Sequence, residues 1–364
     1  MTSPILFCGQ EDLSFTPIGG SAFASSLTTG QFSVDTTAGH FRSGYSRYAL
    51  SFQVINTTTN GINFIRSAQF TSSAFWTTVR LVNVQGGSPN SSAVTYMRWL
   101  DSSGIVRLLI RNKTGNAPPN GIWQVCTQNA AGTVTQIGSD VASFGGINSS
   151  PPDKIDVYIN YAVSGSFIVY INGAQVFSYS GDVTTNGVTS LAYLDLGQLQ
   201  SSGNSAALAT SWSECIVSTS DTRNMSLVTQ APSAAGNTDT FTSGAFSNVN
   251  QNFAPTGQAS PDYSKSAGQL QEYKVGQSIP AGSFSVISVV QAGQMTISSA
   301  GPQHIKFAVR TGGSDFLTTD LTVSTAWGLV TYNWDTNPNT SAAWQTTDLP
   351  SASTSFNLGY QSDT

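Results

Sequence analysis

Apolar and polar residues alternate with period two through much of this chain, and the alternating runs end at Gly, Asn, Asp or Ser. The clearest run is Lys154 to Tyr161, where Ile155, Val157 and Ile159 interleave with Asp156, Tyr158 and Asn160. Successive side chains of a strand point to opposite faces, so this pattern predicts a strand with one face in a core. The chain turns near Ser164 and Gly165, returns as Phe167 to Ile171, and turns again at Asn172-Gly173 into Ala174 to Tyr179. Asn-Gly is the dipeptide most favoured in tight hairpin turns. Two more hairpins are predicted: Ala93–Leu100 with Ile105–Asn112 across Asp101 to Gly104, and Ile122–Asn129 with Thr133–Ile137 across Ala130 to Gly132. Strand signals recur about every 8 to 15 residues, the spacing of a β-sandwich. Further strands are predicted at Phe284–Gln291, His304–Arg310 and Leu329–Trp334, so the second half is β as well.

Composition narrows the fold class. Charged residues make up 9% of the chain, against about a quarter in an ordinary globular protein. Glutamate occurs only at 11, 214 and 272, and strong helix formers are scarce while Thr, Val and aromatics abound. A helical or doubly wound fold is excluded on propensity, and an all-β fold of antiparallel strands is expected. The 364 residues suit two domains of roughly 150 residues or more. A turn-rich strip from Val228 to Gly236 places the boundary near residue 225, giving domains 1–225 and 226–364.

The net charge is −5 and no run of Lys or Arg occurs, so no nucleic-acid partner is expected. The N-terminus lacks a basic segment followed by an apolar run, and no stretch approaches the ~20 apolar residues of a membrane span. A soluble protein made in a cytoplasm is expected. Cys8, Cys126 and Cys215 are odd in number and lack paired spacing, which predicts buried thiols and neither a disulfide scaffold nor a zinc site.

The strands then acquire a resemblance. The run Phe167-Ile-Val-Tyr-Ile-Asn-Gly-Ala-Gln-Val-Phe177 resembles the hairpin of concanavalin-like and laminin-G-like jelly-roll domains. Phe75-Trp76-Thr-Thr-Val-Arg-Leu81 resembles their aromatic strand, and Trp212-Ser-Glu-Cys-Ile-Val-Ser218 their closing strand. The match covers about residues 1 to 225 and implies a lectin-like antiparallel β-sandwich followed by a smaller β-rich C-terminal lobe. The last segment, Asn337-Pro-Asn-Thr-Ser-Ala-Ala-Trp344 with Phe356-Asn-Leu-Gly359, resembles the endings of tailed-bacteriophage structural proteins. That resemblance implies a virion component of capsid or tail, assembled in a host cytoplasm, oligomeric or lattice-associated, with other virion proteins as partners.

Chemistry is sparse in the residue pattern. The Glu-x-Asp-x-Glu run of glucanases is absent, and Asp153 and Asp156, three apart in a strand, face opposite sides. Asp182 and Asp195 read as turn and surface carboxylates. His40 and His304 lack metal-ligand spacing, no Gly-x-Ser-x-Gly elbow occurs, and no clustered oxygen motif joins Asp101 or Asp182 into a calcium loop. No metal and no cofactor is expected. Glu214 shares a period-two face with Trp212 and Ile216 but has no second carboxylate two residues away, so it is expected to be structural, bonded to backbone or to an Arg such as Arg223. The expectation is a non-enzymatic protein, with a glycan-binding adhesin as the alternative and a glycan hydrolase behind it. Sugars need aromatic faces beside amide or carboxylate groups, which singles out Trp123 with Asn120, and Tyr45 with Tyr48, as residues for a cell-surface glycan, although each of these aromatics reads first as a sandwich-core or edge residue.

Overall fold

The structure is a computed structural model. It describes residues 6–8, 15–18, 22–23, 31–35, 37–43, 45–46, 49–54, 61–85, 93–113, 122–142, 151–185, 187–200, 208–243, 245–249, 261–276, 279–280, 282–350 and 355–363. It is 53% strand and 3% helix. The chain divides after Leu227 into two compact units.

In chain order the first unit carries β1 (Leu6–Cys8), β2 (Phe15–Ile18), β3 (Ala22–Phe23), β4 (Gln31–Asp35), β5 (Ala49–Val54) and β6 (Gly61–Ser67). There follow β7 (Ala74–Gln85), β8 (Val94–Leu100), β9 (Val106–Asn112), β10 (Ile122–Gln128), β11 (Val134–Gln136) and β12 (Val141–Ala142). The last are β13 (Asp153–Asn160), β14 (Gly165–Ile171), β15 (Ala174–Gly181), β16 (Tyr193–Gln200) and β17 (Leu208–Ser218). Among the described residues they form two sheets, β15-β14-β13-β7-β17-β5-β4-β3 with β1 on β17, and β11-β10-β9-β8-β16-β6-β2 with β12 on β10. All pairs but β3 with β4 are antiparallel. This is a jelly-roll sandwich.

The two sheets meet through their odd or even rows as period two requires. Phe75, Val79, Leu81, Ile155, Val157, Ile159, Phe167 and Val169 of the nine-stranded sheet are buried, as are Trp99, Leu108, Ile110, Val125, Leu194 and Leu196 of the other. The Trp99 ring meets Phe167 edge-on at 5.5 Å and its Nε1 lies 3.4 Å from Thr77 Oγ1. Each such fully buried apolar side chain contributes about 1.5 to 3 kcal/mol. The predicted hairpins form with their predicted turns. Asn172 and Gly173 have φ of 50° and 84°, and Gly104 has φ of 77°. The Asp101 carboxylate closes its turn by accepting from the N–H of Ser103 at 2.8 Å and of Ile105 at 3.0 Å.

The second unit contains β18 (Pro232–Asp239), α1 (Phe246–Val249), β19 (Leu270–Val275), β20 (Val289–Met295), β21 (His304–Thr311), β22 (Ser314–Leu317), β23 (Leu321–Thr322), β24 (Gly328–Trp334) and β25 (Asn357–Asp363). One sheet runs β18-β19-β25-β21-β22 with β23 on β21, and β20 pairs with β24. The strand expected at Phe284 begins only at Val289, because its partner β24 ends at Trp334, directly opposite. The core gathers Phe307, Val309, Met295, Val323, Trp334, Trp344 and Phe356. Trp344 is fully buried and its indole N–H donates to the Trp334 carbonyl at 2.7 Å.

Candidate functional site

The outer face of the eight-stranded sheet concentrates positive charge. Trp99 of β8, Leu194 and Leu196 of β16, and Ile110 of β9 point into the sandwich, so alternation turns Arg98, Asp195 and Arg111 outward. Register places Arg66 opposite Asp195, and Asp195 opposite Arg98, on three neighbouring strands. Arg66 donates from Nε to Asp195 Oδ1 at 2.8 Å and from Nη2 to Oδ2 at 3.0 Å, and Arg98 Nε donates to Oδ2 at 2.8 Å. Asp195 is wholly buried, whereas the Arg66 and Arg98 side chains remain 22% and 13% exposed. The carboxylate is therefore the inner member and the guanidiniums are its rim. Hydrogen bonding by Asp195 raises the Arg66 pKa, while burial lowers that of Arg98; both stay cationic.

Two further contacts hold the rim. The Arg98 guanidinium lies 4.0 Å over the buried Phe64 ring, and that of Arg66 5.4 Å from the Tyr193 ring centroid. The Tyr193 hydroxyl donates to Gln69 Oε1 at 3.1 Å. On the next row Arg111 stands opposite Thr95 and Gln124, its Nε buried without a hydrogen-bond partner and, among the described residues, no carboxylate paired with it. Cys126 lies two residues along β10 on the same face as Gln124, its thiol pushed up by burial. Arg66, Arg98 and Arg111 against Asp195 leave this face two positive charges in excess on a chain whose net charge is −5.

The outer face of the nine-stranded sheet is also polar, but its charges are spent on one another. Glu214 accepts from Arg42 Nε at 3.1 Å through Oε1 and from Nη2 at 2.8 Å through Oε2, and Arg80 Nε lies 3.0 Å from the same Oε1. Lys154 donates to the carbonyls of Thr222, Arg223 and Met225 and lies 3.3 Å from Asp156, which also accepts from Thr78. His40 Nδ1 is 2.6 Å from Asp35 Oδ2, and Ser211 Oγ donates to the same oxygen at 2.6 Å. Burial raises the Asp35 pKa, but the bonds from Ser211, Thr37 and His40 outweigh it and hold the group low. The aspartate stands between serine and histidine, an order that cannot activate the serine as a nucleophile. Trp76, Tyr158 and Tyr170 cluster here with ring centroids 5.0 and 5.9 Å apart, and Arg223 stacks on Trp76 and Tyr170.

The residues singled out in the sequence are scattered by the fold. Trp123 has no exposed surface and stacks face to face on Tyr96 at 4.6 Å, so it offers no ring to a sugar and is withdrawn as a binding residue. Tyr45 is half-buried with the Arg42 guanidinium 3.1 Å from its ring centroid, beside Glu214 and away from the basic face. Tyr48 and Asn120 lie outside the described residues. Asp195 is no surface carboxylate but the buried centre of an arginine pair. Glu214 does bond arginines, though Arg42 and Arg80 and not Arg223, which pairs with Asp221 at 2.6 Å. A bulge between Ser213 and Ile216, with Glu214 at φ 49°, breaks the period: Trp212 pairs with Leu81 and Ile216 with Thr78, on opposite faces of β7. No cluster of three metal-ligating side chains occurs among the described residues. A signal for the basic face was present in β9, where Arg107, Leu109 and Arg111 alternate with Leu108 and Ile110.

No protein-family model matches the chain, and no curated protein does. Solved structures do. An endo-β-1,4-glucuronan lyase from the fungus Trichoderma reesei matches over 60% of this chain and 96% of its own, at 10% identity and a TM-score of 0.41. Cip1, a cellulose-induced protein, matches over 59% and 97% at 10% identity and 0.42. The alginate lyase AlgAT5 of polysaccharide lyase family 7 matches over 46% and 77% at 16% identity and 0.32. At these values the likeness is one of fold. It nevertheless overturns the non-enzymatic expectation, because structures sharing this sandwich include polysaccharide lyases, and an all-β jelly roll without a glucanase motif is no mark of a non-catalyst.

Proposed function

We propose that the first unit takes up an acidic polysaccharide on the outer face of its eight-stranded sheet. The observation that carries this reading is the charge count: one buried carboxylate, Asp195, serves two guanidiniums that keep a partly exposed edge, and Arg111 beside them has no described acidic partner. Guanidinium forks match carboxylate and sulfate oxygens in pairs. Tyr193, half-buried beside Arg66, supplies a hydroxyl on the same face that can give and take a proton. In an eliminative cleavage of a uronate chain a base removes the proton beside the carboxylate, the neighbouring C–O bond breaks, a C=C bond forms and the departing oxygen is protonated. The arginines would carry the carboxylate charge and Tyr193 the proton.

The test combines binding with turnover. Alginate, glucuronan and a neutral glucan are titrated onto the full chain by calorimetry, and unsaturated product is followed by its ultraviolet absorbance. Binding of the acidic chains alone, weakened in Arg111→Gln, supports the reading, and product lost in Tyr193→Phe adds the cleavage step. Equal binding of neutral and acidic chains would sink it.

The virion setting is a proposal resting on the phage-like ending, whose Trp344 sits buried in the core of the second unit. Mass spectrometry of purified particles tests it, and absence of the chain from them would refute it.

A further inference from the structure

The second unit holds a buried carboxyl group with no cation bonded to it. Glu272 lies on β19, opposite Gly359 of β25, which is opposite Ala308 of β21. Phe307 and Val309 point into the core, so Ala308, Gly359 and Glu272 share the other face. Glycines make room for it on both sides. A Cβ at Gly236 would fall 2.5 Å from Glu272 Cβ, and one at Gly359 would fall 3.1 Å from its Cα and Cγ. β18 leaves register between Ala235 and Asp239, which brings Gly236 and Thr238 against Glu272. Glu272 is wholly buried, no guanidinium or ammonium bonds either of its oxygens, and the one donor beside it is the neutral Thr238 hydroxyl, which lowers its pKa less than burial raises it.

The charges facing it come from every neighbouring strand. From β22 comes Asp315, and from β21 Arg310, whose guanidinium is engaged by Asp315 and by the Gly313 carbonyl at 2.7 Å. Lys306, also on β21, is held by Asp320 and by Asp363 of β25. Lys274 of β19 is exposed, and Asp239 of β18 faces Tyr273. Two carboxyl groups thus share one guanidinium, which Asp315 engages through Nη1 while its Nε stays without a partner. One positive charge is missing. Thr238 adds a hydroxyl and no charge.

We propose that Glu272 and Asp315 hold one proton between them, and that this proton keeps β18 seated on the sheet. Asp315 is partly exposed and gives the proton a route to water, while Glu272 is the buried end that needs it. Burial first, and the Asp315 charge next, raise the Glu272 pKa, in keeping with this arrangement. When the proton leaves, a buried carboxylate faces a second one, and the relief available is opening of the Gly236–Thr238 bulge towards water. The sign follows. A carboxyl whose folded pKa is raised stabilises fully below its ordinary value, and that contribution is lost as pH rises through the folded value.

The experiment uses the full chain between about pH 5 and pH 8. It reads the thermal midpoint of the second unit, hydrogen exchange of the Thr240 and Leu270 amides that tie β18 to β19, and the infrared band of a protonated carboxyl. The expected result is a midpoint that falls by several degrees as pH rises, with protection lost at both amides beyond intrinsic exchange. Glu272→Gln, which keeps the shape and can donate to Asp315, should flatten both profiles, abolish the carboxylic-acid band and melt above the parent at the upper pH. A parent with flat profiles, or with no acid band at neutral pH, overturns the proposal. So does a rise in midpoint on adding calcium at the upper pH that Glu272→Gln abolishes, since the pair would then serve a metal ion. Should the Gln variant not fold, the band in the parent and its loss in Asp315→Asn decide.

Discussion

Arg98 and Asp195 stand opposite each other on β8 and β16, with Arg98 Nε 2.8 Å from an Asp195 oxygen that Arg66 also reaches. The fully buried member of this trio is the acid, and the two guanidiniums are only partly buried. A carboxylate in that position orients two guanidiniums and leaves a surplus charge at the surface, which is the arrangement an anionic chain would meet.

Removing the acid should therefore cost stability before it costs binding. Asp195→Asn leaves two partly buried guanidiniums without a counter-charge, and breaking such a pair costs about 3 to 5 kcal/mol. Urea unfolding of the first unit should show a lower midpoint at an unchanged slope, the shift multiplied by that slope giving a free-energy loss of that size.

Arg111→Gln should behave in the opposite way. Its Nε has no bond to lose, and the side-chain partner it does have is the Cys126 thiol, a weak acceptor, so the unfolding midpoint should fall only slightly. Affinity for alginate should fall, and the dependence of that affinity on salt should become shallower by measured titration at several ionic strengths.

Glu214→Gln should destabilise by about 3 to 5 kcal/mol, because Arg42 and Arg80 both lose their carboxylate. With both oxygens turned to guanidiniums, Glu214 has no geometry for proton transfer to a substrate. Any cleavage of polysaccharide by the parent should survive in the folded fraction of this variant, as an assay of unsaturated product corrected for folded protein will show.

Acid should open the β8–β9 hairpin through Asp101. Burial raises its pKa, but the bonds from Ile105, Arg107 and Ser103 outweigh burial and depress it. A depressed folded pKa contributes stability above the unfolded value, and that stability is lost as pH falls through the folded one. Asp101→Asn should remove that part of the acid dependence, read as hydrogen exchange at Ile105 and Gly104 below about pH 4.

Trp344→Ala should cost about 3 to 5 kcal/mol in the second unit as a large core cavity opens, whereas Trp344→Phe should lose chiefly the bond to the Trp334 carbonyl, about 1 kcal/mol. Differential calorimetry of the full chain, with the first unit's transition as an internal reference, separates the two.

The sequence by itself determined the strands and most of their turns. Period two at Lys154–Tyr161, the scarcity of helix formers and the Asn172-Gly173 turn are local signals, and local signals suffice because a hairpin is built from neighbours in the chain. The same locality explains what was missed. Arg66, Arg98 and Asp195 are separated by 129 and 97 residues from one another's partner, and only sheet pairing brings them side by side. Trp123 reads from the sequence either as a core aromatic or as a sugar-stacking ring, and only Tyr96 from another strand, stacked on it, decides for the core. Strict alternation puts Glu214 on the face of Trp212, and a one-residue bulge turns it to Arg42 and Arg80 instead. Alternation tells which residues share a face of one strand. Which strands lie next to each other, and so which charges meet, depends on long-range register, and that is a property of the folded sandwich alone.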